Sequence, residues 1–218
     1  MSSSEFAADV IVVGAGNAAA CAALSAHDNG ASVIMLEAAP RDQRGGNSTY
    51  TGGMLRFAYN DAEDLKRLVP EMAEQDLSNI EFDTYTESQF FDDMGRLTQY
   101  RCDPDLTEVM IKKSYETAQW MLTKGMRLEL TLGSHAFKVG NKFKFWGGLP
   151  CQIWGGGPGL IEALHKTVDK VGIRVLYETP AVELLHDDSG VTGVRARHEG
   201  RTIELRAKAV VLACGGFE

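Results

Sequence analysis

The chain has little of several things, and each scarcity narrows the reading. Its four cysteines, Cys21, Cys102, Cys151 and Cys214, are scattered and never form a C-x-x-C pair. Neither a zinc site nor a disulfide framework is therefore indicated, and reduced, mostly buried thiols are expected. Lysine and arginine number 22 against 30 aspartates and glutamates, a formal net charge of −8, and no basic run offsets it. That balance argues against a phosphate-backbone partner. No apolar stretch approaches the roughly 20 residues needed to span a bilayer. Met1 to Ala8 is short and polar, without the basic and apolar regions of a signal peptide. A cytoplasmic protein with no transmembrane segment and no nucleic-acid partner is expected. Repeats and low-complexity segments are also lacking.

What is present begins at Val10. A β-branched run, Val10-Ile11-Val12-Val13, turns at Gly14-Ala15-Gly16 into an alanine-rich stretch ending near His27. A second apolar run, from Ser32 to Leu36, ends on Glu37. Strand, turn, helix, strand with Gly14-x-Gly16-x-x-Ala19 is the dinucleotide-binding pattern. Gly14 permits the tight turn, Gly16 keeps the backbone clear for a pyrophosphate, and Ala19 allows close helix–strand packing. The helix N-terminus offers unpaired N–H groups and partial positive charge to phosphate. Glu37 stands where a carboxylate accepts from ribose hydroxyls. This unit alone leaves FAD and NAD both open.

A polar loop then leads to Gly45-Gly46-Asn47-Ser48-Thr49-Tyr50-Thr51-Gly52-Gly53, rich in glycine and hydroxyls. Such a loop can wrap a phosphate or the polar edge of a heterocycle. Residues 61–72 suggest a short helix ending at Val69, before Pro70. Asp103-Pro104 starts a helix running toward Gly125, with Leu106, Val109, Met110, Thr117, Ala118, Met121 and Leu122 as its apolar recurrence. Aromatics and lysines interleave from Thr131 to Trp154, including His135, a pattern that fits a strand or loop pair. Gly155 to Gly159 reads as a loop before a helix from Leu160 to Val171, with Leu160, Leu164, Val168 and Val171 buried. From Ile173 the period becomes two. A parallel strand is followed by an antiparallel meander over 181–206, with His186 and His198 at its surface, and then by a short buried strand over 209–212.

The segments Val-Val-Gly-Ala-Gly-Asn-Ala-Ala, Leu-Glu-Ala-Ala-Pro and Gly-Gly-Asn-Ser-x-Tyr-Thr-Gly-Gly, with the closing Ala213-Cys214-Gly215-Gly216-Phe217-Glu218, resemble the flavoprotein subunits of the fumarate reductase and succinate dehydrogenase superfamily. Within it the chain is most similar to the FAD-dependent tricarballylate dehydrogenases, and it also resembles 3-ketosteroid dehydrogenases. The resemblance implies an α/β fold: a Rossmann-like, glutathione-reductase-like FAD-binding domain with a parallel sheet, a small antiparallel meander and a helical excursion. Its core would be residues 8–54 and 155–218, and the excursion 55–154. Gly14, Gly16, Asn17 and Ala18 would meet the pyrophosphate, and Glu37 with Ala38 the adenosine ribose. Gly46, Asn47, Ser48, Thr51, Gly52 and Gly53 would line the pyrophosphate, ribityl chain and isoalloxazine. Ala181 would meet the adenine, and Ala213 and Gly215 belong to the second FAD motif.

The resemblance implies FAD held non-covalently, because no histidine lies between His27 and His135. It implies oxidation or reduction of a CH–CH bond in a small carboxylate substrate, with an unidentified electron donor or acceptor. The family's capping domain and later FAD-binding segment would lie outside these residues, together with the catalytic acid or base. The isolated 218-residue chain is accordingly expected to be nearly inactive. A steroid-type dehydrogenase and a non-catalytic flavin or nucleotide module are the alternatives.

Overall fold

The structure is a computed structural model that describes residues 6–216 apart from 75 and 146. The expectations that touch Met1–Glu5, Trp146, Phe217 and Glu218 lie outside the described residues. In chain order the elements are β1 (Ala7–Val13), α1 (Asn17–Asp28), β2 (Val33–Leu36), α2 (Ala62–Leu68), β3 (Ile80–Glu81), α3 (Glu87–Thr98), α4 (Pro104–Lys112), α5 (Ser114–Thr123), β4 (Leu128–Leu130), β5 (Ala136–Val139), β6 (Lys142–Phe145), β7 (Cys151–Ile153), α6 (Gly156–Lys170), β8 (Arg174–Leu176), β9 (Ala181–Asp187), β10 (Gly190–His198) and β11 (Arg201–Leu212). Short 3₁₀ segments lie at Arg41–Gln43, Gly46–Tyr50 and Pro70–Glu74. The chain divides into two compact units, residues 1–51 with 157–218, and residues 52–156.

The first unit is built on a six-stranded sheet in the order β8-β2-β1-β11-β10-β9. β1 pairs in parallel with β2 on one side and with β11 on the other. A strand so placed is covered on both faces, which is why it reads as a continuous β-branched run. Ile11 and Val12 are fully buried on opposite faces. On one face Ile11, Ile34, Leu36, Leu176, Val194 and Leu205 form a common core. The helix α1 uses alanine where bulk would intrude, burying Ala19, Ala20, Ala23 and Leu24 at helical spacing.

Two expectations about this unit need correcting. The strands expected at 202–206 and 209–212 are one strand of 12 residues, β11. Its first half runs antiparallel to β10 and its second half parallel to β1, so the meander and the parallel sheet are one sheet. Arg206 and Lys208 are exposed positions within this one strand. Lys208 pairs with Asp9 on the neighbouring strand at 2.7 Å. The second correction concerns the glycine run before α6. It is not a preceding loop, because Gly156 to Gly159 form the first turn of the helix. The Gly157 N–H donates to the Thr51 carbonyl at 2.9 Å. A Cβ at Gly157 would lie 2.4 Å from the Thr49 carbonyl oxygen, so the close approach demands glycine. The buried stripe of α6 also includes Ile161 and His165, while Val171 lies beyond the helix and is half-buried.

The second unit carries α2 to α5 and two small sheets, β3-β6-β5 and β4-β7. Its core gathers Phe57, Leu65, Leu68, Met72 and Ile111, all essentially solvent-free. α2 starts at Asp61, whose side chain accepts from the Glu63 and Asp64 N–H groups, and ends before Val69-Pro70. The helix expected from Pro104 toward Gly125 is two helices, broken at Lys113. Within α4 the buried face is Thr107 and Ile111, whereas Leu106, Val109 and Met110 are exposed. Threes and fours fit either face of so short a helix, and here the alternative face packs. β5 and β6 form an antiparallel hairpin, and Phe82 stacks on Phe145 with ring centroids 5.6 Å apart.

Candidate functional site

At the carboxyl ends of β1, β2 and β11 the first unit opens into a cavity of about 1250 Å³. The chain leaves β1 in opposite directions across the sheet, by way of α1 to β2 and, much later, to β11. That makes this edge a topological switch point, where ligands bind in open parallel sheets. Gly14 turns the chain at φ +117°, a conformation that side chains rarely adopt, and its N–H donates to the Leu36 carbonyl at 2.7 Å. A Cβ at Gly14 would lie 2.3 Å from the Ala213 carbonyl oxygen, so the turn and the end of β11 touch backbone to backbone.

Gly16 stands at the N-cap of α1, and a Cβ there would meet the Gly45 carbonyl oxygen at 3.2 Å and Ser48 Oγ at 3.3 Å. The Asn17 N–H, the first of the helix, donates to Ser48 Oγ at 3.1 Å. Asn17 Oδ1 accepts from Cys21 Sγ at 3.4 Å, which leaves the amide NH₂ for a ligand. Burial pushes the Cys21 thiol up to about 11, so it stays a neutral donor. Across the cavity, the Glu37 N–H donates to the Leu176 carbonyl, and Glu37 Oε1 accepts from the Ala39 N–H at 2.8 Å. That bond holds the carboxylate in place and leaves its other oxygen to accept further. Thr179, fully buried, links the Tyr177 carbonyl to His198 Nδ1 and steadies the entry to Ala181.

Of the residues expected at the site, Gly14, Gly16, Asn17, Ala18, Glu37 and Ala38 line this cavity. So do Gly46, Asn47, Ser48, Ala181, Ala213 and Gly215. The lining does not include Thr51, whose carbonyl instead accepts from Gly157. Gly52 and Gly53 belong to the second unit, where the Gly53 carbonyl accepts from the Ile153 N–H at 2.8 Å. Several lining residues escaped the sequence reading, among them Ala15, Gln43 and the strand residues Val182 to Leu184. The four cysteines are free thiols, but only Cys151 is buried. Cys214 is exposed and lines the cavity, contrary to the expectation that the thiols are mostly buried.

His165 also escaped notice. It lies on α6, is 1% exposed, and its Nε2 stands 2.8 Å from the Ala15 carbonyl oxygen. Desolvation by burial holds its pKa below the usual histidine value, with Arg44 acting in the same direction and Asp169 and Glu37 opposing.

No lysine or arginine is among the lining residues. A diphosphate held here meets backbone N–H groups and the positive end of α1 in place of side-chain cations. Side-chain-free backbone at Gly14, Gly16 and Gly46, with an anchored carboxylate about one strand away, suits an extended dinucleotide whose ribose hydroxyls reach Glu37.

A family model described as an FAD binding domain matches residues 9–218. A fumarate reductase (cytochrome) of Shewanella frigidimarina is 30% identical over 212 residues, covering 96% of this chain and 33% of the relative. A urocanate reductase of Eggerthella lenta is 30% identical over 225 residues, covering 96% of this chain and 32% of the relative. The open conformation of a flavocytochrome c3 fumarate reductase superposes with a TM-score of 0.73 at 25% identity, over 97% of this chain and 34% of that one. The chain thus spans about a third of the length of the relatives it matches. Among the described residues no helix is long and apolar enough to cross a membrane.

Proposed function

Since this chain belongs to the FAD binding domain family and takes FAD as its cofactor, we propose that it is the FAD-binding part of an oxidoreductase acting on the CH–CH bond of a small polycarboxylate, tricarballylate or a relative of succinate and fumarate. The observation that carries the reading is the convergence of the Gly14–Ala18 turn, Glu37 and the 213–216 segment on one cavity. When bound, the flavin supplies a hydride acceptor at N5. The residues of this chain bind and orient it. The α1 N-terminus with Gly14, Gly16 and Asn17 takes the pyrophosphate, Glu37 takes the adenosine ribose, and the backbone at Ala181 borders the adenine. Gly46, Asn47, Ser48, Thr51, Gly52 and Gly53 line the path toward the flavin ring, and Ala213 and Gly215 close the second side. The cofactor is held non-covalently, because the 45–53 loop contains no histidine.

The carboxylate reading draws on the relatives named for fumarate and urocanate, each an alkene conjugated to a carboxylate. The electron donor or acceptor is not identified by these residues. Four free thiols fit a reducing, cytoplasmic compartment.

The test is anaerobic addition of tricarballylate, succinate or a 3-ketosteroid to the intact flavoprotein, following the visible flavin absorbance. Bleaching by a carboxylate is expected, and heat denaturation followed by filtration is expected to release the flavin. Bleaching by the steroid alone would overturn the substrate reading. A protein that retains no flavin through purification and takes none up would overturn the cofactor placement.

A further inference from the structure

The contact between His165 and Ala15 joins positions 150 residues apart, and nothing in the binding site as described requires it. A carbonyl oxygen can only accept, so His165 Nε2 must carry the proton, and Nδ1 is then bare. Nδ1 is buried and has no hydrogen-bond partner among the described residues. A buried imidazole that satisfies one nitrogen and leaves the other orphaned is costly as mere filler, since leucine or methionine would occupy the same volume without that penalty. The single bond it makes is therefore where its contribution lies.

That bond falls on the peptide between Ala15 and Gly16. No peptide bond among the described residues is cis, so this peptide's C=O and N–H point in opposite directions. Fixing the Ala15 carbonyl toward α6 aims the Gly16 N–H away from α6. The Gly16 N–H has no acceptor among the described residues, and Gly16 lines the cavity. Without the imidazole, the Ala15 carbonyl would be left buried without the one side-chain donor it has among the described residues. Rotation of this peptide would then relieve the carbonyl and turn the Gly16 donor out of the cavity. Glycine on one side of the peptide makes that rotation easy.

We infer that His165 is a positioning residue for the cofactor: through the Ala15 carbonyl it holds the Gly16 N–H aimed at the pyrophosphate. The inference rests on the placement of FAD in this cavity. His165 does not touch the cofactor, and it acts as a neutral donor. The charged groups that act on it are Arg44 from the loop after β2, Glu37 from the end of β2, and Asp169 from α6, the last of which is paired with Arg41.

The experiment measures FAD affinity of the deflavinated intact protein by quenching of flavin fluorescence, for wild type, H165L, H165Q and G16V. Glutamine places an N–H donor close to the position of Nε2, whereas leucine fills the space without one. H165L is expected to weaken FAD binding about tenfold, the equivalent of one oriented hydrogen bond. H165Q is expected to recover most of that loss. Thermal unfolding with and without FAD supplies the second readout: H165L should shrink the FAD-induced rise in melting temperature, not merely lower both temperatures together. An H165L affinity within twofold of wild type, or an H165Q affinity as poor as that of H165L, overturns the inference. G16V separates the two layers, because its added side chain crowds the Gly45 carbonyl oxygen and Ser48 Oγ, both on the cavity wall, without touching His165. If G16V binds FAD as wild type does, the placement of the cofactor fails. If G16V abolishes binding while H165L leaves it intact, only the role of His165 fails.

Discussion

Replacing Gly14 with alanine tests the site at its tightest point. Two separate penalties apply. Alanine must adopt φ +117°, a strained conformation costing of order 1–3 kcal/mol. Its Cβ would also lie 2.3 Å from the Ala213 carbonyl oxygen, where ordinary contact begins near 3.4 Å, so the ends of β1 and β11 must part by about 1 Å. That parting strains the bond from the Ala213 N–H to the Val13 carbonyl, now 2.8 Å, at a cost of about 1 kcal/mol. Together they come to roughly 2–4 kcal/mol, a large part of a typical 5–15 kcal/mol of stability. Gly30→Ala is the matched control. Its φ is +83° but nothing lies within 4 Å of the added Cβ, so only strain of about 1–2 kcal/mol applies. Urea denaturation of the deflavinated protein reads both. With a slope of about 2–3 kcal/mol/M, Gly14→Ala should lower the midpoint by about 1–2 M and Gly30→Ala by roughly half that or less. Equal losses would refute the argument, because they would mean that the contact with Ala213 costs nothing.

Three further outcomes follow from the same geometry. Glu37→Gln keeps an oxygen for the Ala39 N–H but removes the carboxylate, so FAD affinity should fall about tenfold in a fluorescence titration while the urea midpoint barely moves. Burial lowers the His165 pKa, so the unfolded chain binds the proton more readily; its contribution to stability is complete above the ordinary histidine value and is lost as pH falls from there through the folded value. Denaturation midpoints measured from pH 7 to pH 5 should therefore drop more steeply for wild type than for H165Q. Asp103→Ala removes the side chain that accepts from the Leu106 N–H at the start of α4 and should cost about 1 kcal/mol, measured by thermal unfolding.

The fingerprint was legible in the residues because several independent signals coincide there: a β-branched run, glycines at a turn, alanines at helical spacing and an acid at a strand end. The rest depended on contacts that local pattern does not encode. Leu106, Val109 and Met110 carry a helical period as good as that of Thr107 and Ile111, and only packing decides that the latter are inside. The strands read at 202–206 and 209–212 join into one because β11 continues through Lys208, which pairs with Asp9 on the neighbouring strand. The glycines before Leu160 have poor helix propensity, yet the Thr49 carbonyl leaves no room for anything larger at Gly157. His165 gave no signal at all, because a lone histidine on an apolar helix face is unremarkable until its distant acceptor is known. Of the 45–53 loop, Gly46, Asn47 and Ser48 came to the cavity, and the reading of Thr51, Gly52 and Gly53 as flavin-side residues remains a proposal.

The seating of β1 between β2 and β11 bears on how the protein is made. One neighbour is available within the first 36 residues, but the other, β11, ends at Leu212. During synthesis the opening strand must wait, with one hydrogen-bonding edge uncovered, while well over a hundred residues leave the ribosome. An uncovered β-branched edge is an aggregation hazard. Pairings so distant in sequence are also slow to form. Nucleotide capture is consequently a late event, possible only once β11 has reached β1.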